Sequence, residues 1–289
     1  MLWSTVWVFI KLGVADVPPV TFAACRLFVA LLVLIPITAA RGIAWPREAR
    51  DWVLIGSTGV LLLGVNYALL YWGMQFVSSG LAAVLQALTP VFAMLFAHLL
   101  LSNERITPTK VAALALGIAG VAVIFADQLR FAGWDSLWGS TAVLAGAMFV
   151  ACAYVLMKKY GRDLDPTIIA AGQMAAALVP LGALALVVEG NPLTLQWTRR
   201  SAMALLYLAV IGSVTATWLN YWLLMRMDAT KVLVMGLAEP PIAMMLGAAI
   251  LHETLSTRVI AGTICILVSV GVVLELAGVA TTHSTETKS

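Results

Sequence analysis

Apolar stretches separated by short polar ones repeat along the whole chain. Ten such runs fall at about 1–14, 19–40, 52–73, 79–101, 108–126, 138–157, 166–188, 201–224, 232–252 and 258–276. A hydrocarbon core about 30 Å thick needs about 20 helical residues at 1.5 Å each, so most of these runs are long enough to cross. The connections, such as RGIAWPREARD (41–51), SNERITP (102–108) and KKYGRDLDP (158–166), leave no room for a soluble domain. The pattern predicts an all-α integral membrane protein with ten transmembrane helices. The first run is short for a crossing, which points to residues ahead of Met1 or to a helix starting below the interface. No charged segment precedes it and no clean small-residue cleavage site follows, so it reads as helix 1 and not as a signal peptide. The end TTHSTETKS (281–289) reads as a short, disordered polar tail.

Composition agrees. Of the 289 residues, 62% are hydrophobic and 11% charged, against roughly half apolar and a quarter charged in soluble domains. A net charge of +3, with no basic cluster interleaved with stacking aromatics, excludes a nucleic-acid partner. Cys25, Cys152 and Cys265 sit inside apolar runs and form neither a disulfide framework nor a metal motif. Lysine and arginine divide unevenly between the two sides: eleven fall on the side of the loops after helices 2, 4, 6 and 8 and of the C-terminal tail, five on the other. Positive loops are retained in the cytoplasm, so both termini are expected there.

The chain also repeats itself. At an offset of 147, residues 11–36 align with 158–183, matching at Lys11/Lys158, Asp16/Asp163 and Pro19/Pro166. At an offset of 150, residues 82–102 align with 232–252, matching at Val84/Val234, Pro90/Pro240 and Met94/Met244; a one-residue gap then pairs Glu104 with Glu253. Each half holds five helices, an odd number, so the second enters the membrane upside down. The expected division is a first five-helix repeat at 1–126, a linker at 127–137, a second repeat at 138–276 and the tail at 277–289. Folds built this way place their site between the halves, beside broken helices. Pro90, and Pro240 with Pro241, are the expected breaks, leaving the carbonyls of Gln86, Gly236 and Leu237 without their helical donors. The alternative is a kink that only shapes packing.

Polar residues within the runs are the candidate chemistry. Glu239 stands just ahead of Pro240 and Pro241, and its open roles are proton coupling, binding a substrate ammonium, or satisfying a neighbour. Arg26 lies about seven residues into helix 2, and can receive a substrate carboxylate or serve as a structural clamp. Asn66, Asn220 and Tyr221 are candidates for hydrogen bonds across the bundle. Glu104 and Glu253, at helix ends, read as loop-capping charges. HExxH, GxSxG and Walker A motifs are absent and there are three histidines, so neither an enzyme, a metal nor any cofactor is expected. A channel would show charge rings or a filter loop, and neither occurs.

The opening LWSTVWVFIKLGVADVPPVTFAACR (2–26), the segment ALTPVFAMLFAHLLLSNERIT (87–107) and its partner LAEPPIAMMLGAAILHETLS (237–256) resemble the drug/metabolite transporter superfamily, specifically its EamA family. The resemblance covers essentially the whole chain. It implies ten helices around a central cavity and export of a small molecule across the bilayer by alternating access. LWST with Tyr67 and Tyr71 further resembles the YddG-type branch that exports aromatic amino acids, which implies cavity positions for Trp3, Tyr67 and Tyr71. Tyr67 and Tyr71, four apart, share a helix face; for aromatics near a membrane end the competing role is an interfacial belt, the reading taken for Trp45, Trp52, Trp134, Trp138 and Trp197. The expected protein is a bacterial inner-membrane exporter of amino acids or related metabolites, with drugs or other metabolites as the alternative cargo, a membrane-embedded enzyme as the alternative outside transport, and a monomer as the expected state.

Overall fold

A computed structural model describes residues 2–43, 45–101, 107–131, 133–161, 164–216, 219 and 237–286. Each of the ten apolar runs is helical in its described part: α1 (Leu2–Val14), α2 (Pro19–Ala40), α3 (Ala49–Gly73), α4 (Ser79–Leu100), α5 (Pro108–Phe131), α6 (Gly133–Tyr160), α7 (Pro166–Val188), α8 (199–215), α9 (Glu239–Leu251) and α10 (Thr257–Glu286). Among the described residues there is no β-strand. Among the described residues seven helices (α2 to α7 and α10) are long and apolar enough to cross a membrane, and α1 and α9 are shorter apolar helices.

Two boundaries differ from expectation. The stretch 127–137 is helical on both sides of residue 132, because α5 runs to Phe131 and α6 starts at Gly133. The apolar pattern marks only the hydrocarbon part of a helix, and the polar end continues as helix where it finds partners: Asp127 Oδ2 accepts 2.6 Å from Ser256 Oγ. α10 likewise continues to Glu286, well past 276.

A subset of the helix contacts forms a set that survives renumbering. Contacts join α3 to α6 and α1 to α8, α4 to α6 and α1 to α9, α3 to α7 and α2 to α8, while α2 meets α7, α4 meets α9 and α5 meets α10. Exchanging each helix for the one five places along converts the first member of each couple into the second and leaves the last three unchanged. The α5/α10 contact is a close backbone approach. A Cβ on Gly120 would lie 2.8 Å from the Gly262 carbonyl oxygen, and one on Gly262 2.8 Å from that of Gly120. Ser269 Oγ donates to Ala113 O across the same seam. Without a hydrophobic drive between helices in lipid, small residues permitting such contact supply the association.

Among the described residues three helices depart from α geometry. α4 consists of Ser79–Gln86 and Thr89–Leu100, with a break at Ala87 and Leu88 just before Pro90. α3 carries a π-helical stretch at Val60–Val65, and α8 passes from Arg199–Tyr207 into another at Leu208–Thr215. These two π stretches fall in the pair α3 and α8. π turns inside α-helices occur frequently at functional sites.

Candidate functional site

The chain places Arg26, 4% exposed, where α2 faces α3 and α8. Its Nη1 donates 2.7 Å to Tyr71 Oη, and its Nε 3.1 Å to Ser213 Oγ. The guanidinium carbon stands 5.1 Å from the centroid of the Tyr67 ring, and the two tyrosine rings are 5.3 Å apart. Tyr71 is fully buried, and Phe22, one turn before Arg26, tilts against it at 6.1 Å. Every one of these partners is neutral. Among the described residues no carboxylate forms an ion pair with Arg26, although a buried charge ordinarily requires one. Its Nη2 lies beside Gly212, where an added Cβ would come to 3.5 Å.

Each neighbour is positioned by its helix. The π stretch of α8 places Ser213 with its hydroxyl donating to the carbonyl five residues back, Leu208 O, at 3.1 Å, so its lone pairs face Arg26. The π stretch of α3 ends where Asn66 and Tyr67 begin, its last amide bond running from Asn66 N to Leu61 O. Both π stretches therefore border the same guanidinium.

Glu239 is the first residue of α9, and Pro240 and Pro241 occupy the turn positions where a missing N–H costs nothing. Among the described residues, helical geometry begins at Glu239, with both prolines in its first turn. Trp7 Nε1 donates 2.8 Å to Glu239 Oε1. Trp7, and not the 40% exposed Trp3 one turn earlier, is the α1 indole that reaches this carboxylate. No cation pairs with Glu239 among the described residues. At the equivalent break in α4, the freed carbonyl of Gln86 accepts 2.7 Å from Thr89 Oγ1, as expected of a carbonyl released by Pro90. The corresponding carbonyl of Gly236 and the residues Glu104, Asn220 and Tyr221 lie outside the described residues.

Asn66, 6% exposed, accepts 2.9 Å from Gln86 Nε2, which also donates to Val143 O at 3.2 Å. It ties α3 to α4 and α6. A Cβ on Gly146 would stand 2.5 Å from Asn66 Oδ1, so glycine is needed to admit it.

At the opposite end of α1 a second set of charges closes a seam. Lys11 Nζ donates to the carbonyls of Met74, Val77 and Gln75 at 2.6, 2.7 and 3.3 Å, capping the end of α3. Glu253 accepts from Ser79 N and Ser79 Oγ, both at 2.8 Å, capping the start of α4. His252, in the left-handed region at φ 56°, turns the chain so that Glu253 reaches there. The α3/α4 connection is thus held at both ends, by α1 and by the end of α9.

A polytopic helical bundle with a broken helix and a buried cation that has no carboxylate partner among the described residues fits the class of membrane transporters. The chain is a member of the EamA-like transporter family, whose profile matches residues 1–126 and 137–275. It is similar to the uncharacterized transporter YoaV of Bacillus subtilis (strain 168), 28% identical over 92% of this chain and 90% of that one. It is also similar to the uncharacterized inner membrane transporter YedA of Escherichia coli (strain K12), 27% identical over 89% of this chain and 81% of that one. A solved crystal structure superposes with a TM-score of 0.65 at 22% identity, covering 96% of this chain and 94% of that one, and shares the fold.

Proposed function

We propose that the protein is a secondary transporter or facilitator of the bacterial inner membrane that exports amino acids, aromatic and other neutral ones, or related small metabolites. It works by alternating access of two inverted five-helix halves, with both termini in the cytoplasm. The observation that carries this reading is Arg26: a guanidinium buried among a serine, a phenol and an aromatic face, with no compensating carboxylate among the described residues. Such a charge attracts an anion small enough to reach it, and a carboxylate matches the fork of a guanidinium. Tyr67 supplies a ring against which a substrate side chain can pack. Glu239, which accepts from the neutral Trp7 indole and pairs with no cation among the described residues, supplies the opposite charge for an ammonium. Trp3 and Asn66 complete the proposed set, Trp3 at the α1 end and Asn66 as support behind Tyr67; Pro90, Pro240 and Pro241 mark the broken helices that change shape between states.

The test is uptake of labelled amino acids into proteoliposomes, with and without a proton gradient, for the wild type and Arg26→Gln. Phenylalanine transport that is saturable and is lost in Arg26→Gln supports the reading; equal transport by both overturns it. The unpaired carboxylate of Glu239 favours a second reading, export of cationic drugs. Phenethylamine, which is phenylalanine without its carboxylate, separates the two. An amino-acid site rejects it and a cation site prefers it.

A further inference from the structure

At the end of the bundle where α3 begins and α6 finishes, a groove of about 300 Å³ opens between these helices, lined by Arg50, Val53, Leu54, Ser57, Leu156 and Tyr160. We propose that it is a binding site for an anionic glycerophospholipid of the surrounding bilayer, with the phosphate at Arg50 and Lys159 and an acyl chain along the groove.

Two cations are drawn to one ring here. The Arg50 guanidinium stands 5.9 Å and the Lys159 ammonium 5.0 Å from the Tyr160 centroid. The nearest acids in sequence, Glu48 and Asp51, form no ion pair with Arg50 among the described residues. Two like charges converging on a phenol without a carboxylate repel each other, and an anion between them removes that repulsion. Depth fits as well. From Arg50 to Ser57 the groove descends two turns of α3, about 10 Å at 1.5 Å per residue, the distance from headgroup level into the upper acyl region. Its floor is apolar, and Ser57 Oγ is already engaged with Leu54 O at 3.2 Å, so nothing polar below the lip asks for water. Trp45 and Trp52, stacked at 5.8 Å and each about two-fifths exposed, stand on the same connection and α3 turn, as aromatics do at headgroup level. The cationic lip lies on the side to which the lysine and arginine count assigns the cytoplasm, and basic pockets between helices on that side suit anionic headgroups.

The experiment is native mass spectrometry of the full chain in detergent, with phosphatidylglycerol and phosphatidylcholine of matched acyl chains at equal concentration. Phosphatidylglycerol is expected to remain bound in excess. That preference should fall about fivefold for each basic residue removed in Arg50→Gln and Lys159→Gln, the contribution expected of one cation near an anionic headgroup. Leu156→Trp, which fills the groove and leaves both charges in place, should reduce retention of phosphatidylglycerol. Glycerol phosphate, which has the anion and no chain, should not bind. Equal retention of the two lipids, an unchanged preference in the double glutamine variant, or glycerol phosphate binding as well as the lipid overturns the proposal. None of these measurements depends on what the protein transports.

Discussion

Arg26 is held by a fork that lysine cannot reproduce, because one ammonium cannot donate to Ser213 and Tyr71 in the fixed geometry of a guanidinium and still present a free edge beside Gly212. Arg26→Lys is therefore expected to keep the charge and lose most of the transport, a split read as raised KM in liposome uptake. Tyr71→Phe removes a hydrogen bond to a charged group, about 1.5–3 kcal/mol. It should lower the melting temperature of the purified protein and weaken substrate affinity together, whereas Tyr67→Ala should weaken only ring-bearing substrates, by about 0.5–1.5 kcal/mol. Glu239→Gln still offers an oxygen to Trp7, so folding should hold while affinity for zwitterions falls and affinity for substrates lacking an ammonium does not. A variant with unchanged affinity for both would leave Glu239 a structural role. Of these residues, Arg26, Tyr67, Tyr71 and Glu239 stand out in the sequence because polarity in an apolar run is conspicuous. Ser213 and Trp7 do not: a serine in LAVIGSVT is unremarkable in a membrane helix, and an indole four residues after Trp3 announces nothing until a carboxylate from a helix more than two hundred residues later arrives beside it.

The elements carry two kinds of irregularity, and only one is written in residue types. Proline marks the breaks, and the partner of the released Gln86 carbonyl sits three residues on, so Thr89→Val should leave that carbonyl bare and cost about 1–3 kcal/mol, seen as a lowered melting temperature. The π stretches VLLLGV and LAVIGSVT have no such marker, since an extra residue in a turn is decided by what the helix must pack against. Around Gly59 that constraint is visible: a Cβ there would meet the Gln173 backbone at 2.6 Å, which fixes α3 against α7 just before its π stretch begins. The all-helical membrane fold and the break in α4 are legible in the sequence for the same reason, as bilayer thickness and missing amide donors act through composition. The extension of α5 to Phe131 and the start of α6 at Gly133 are not, because beyond the hydrocarbon a polar helix and a polar loop are composed alike.

At the scale of the molecule, the positive-residue count predicts that reporters fused after Arg47 and after Ser289 are cytoplasmic and that one placed within 193–199 is external. On that orientation the Lys11 and Glu253 caps close the outer face, and opening it requires α1 or α9 to release the α3/α4 connection. Lys11→Met and Glu253→Gln are expected to raise labelling of a cysteine placed on the α1 face above Trp7 by a membrane-impermeant thiol reagent, with unchanged labelling denying the caps that role. The seam between α5 and α10 implies something different. It joins the last helix of one half to the last helix of the other, backbone against backbone, from Ala113 to Asp127. The peptide linkage between the halves is then a convenience of synthesis and not a source of cohesion: residues 1–131 and 132–289 produced as two separate chains in one cell should find each other in the membrane and purify as one complex, and Gly120→Leu should part them.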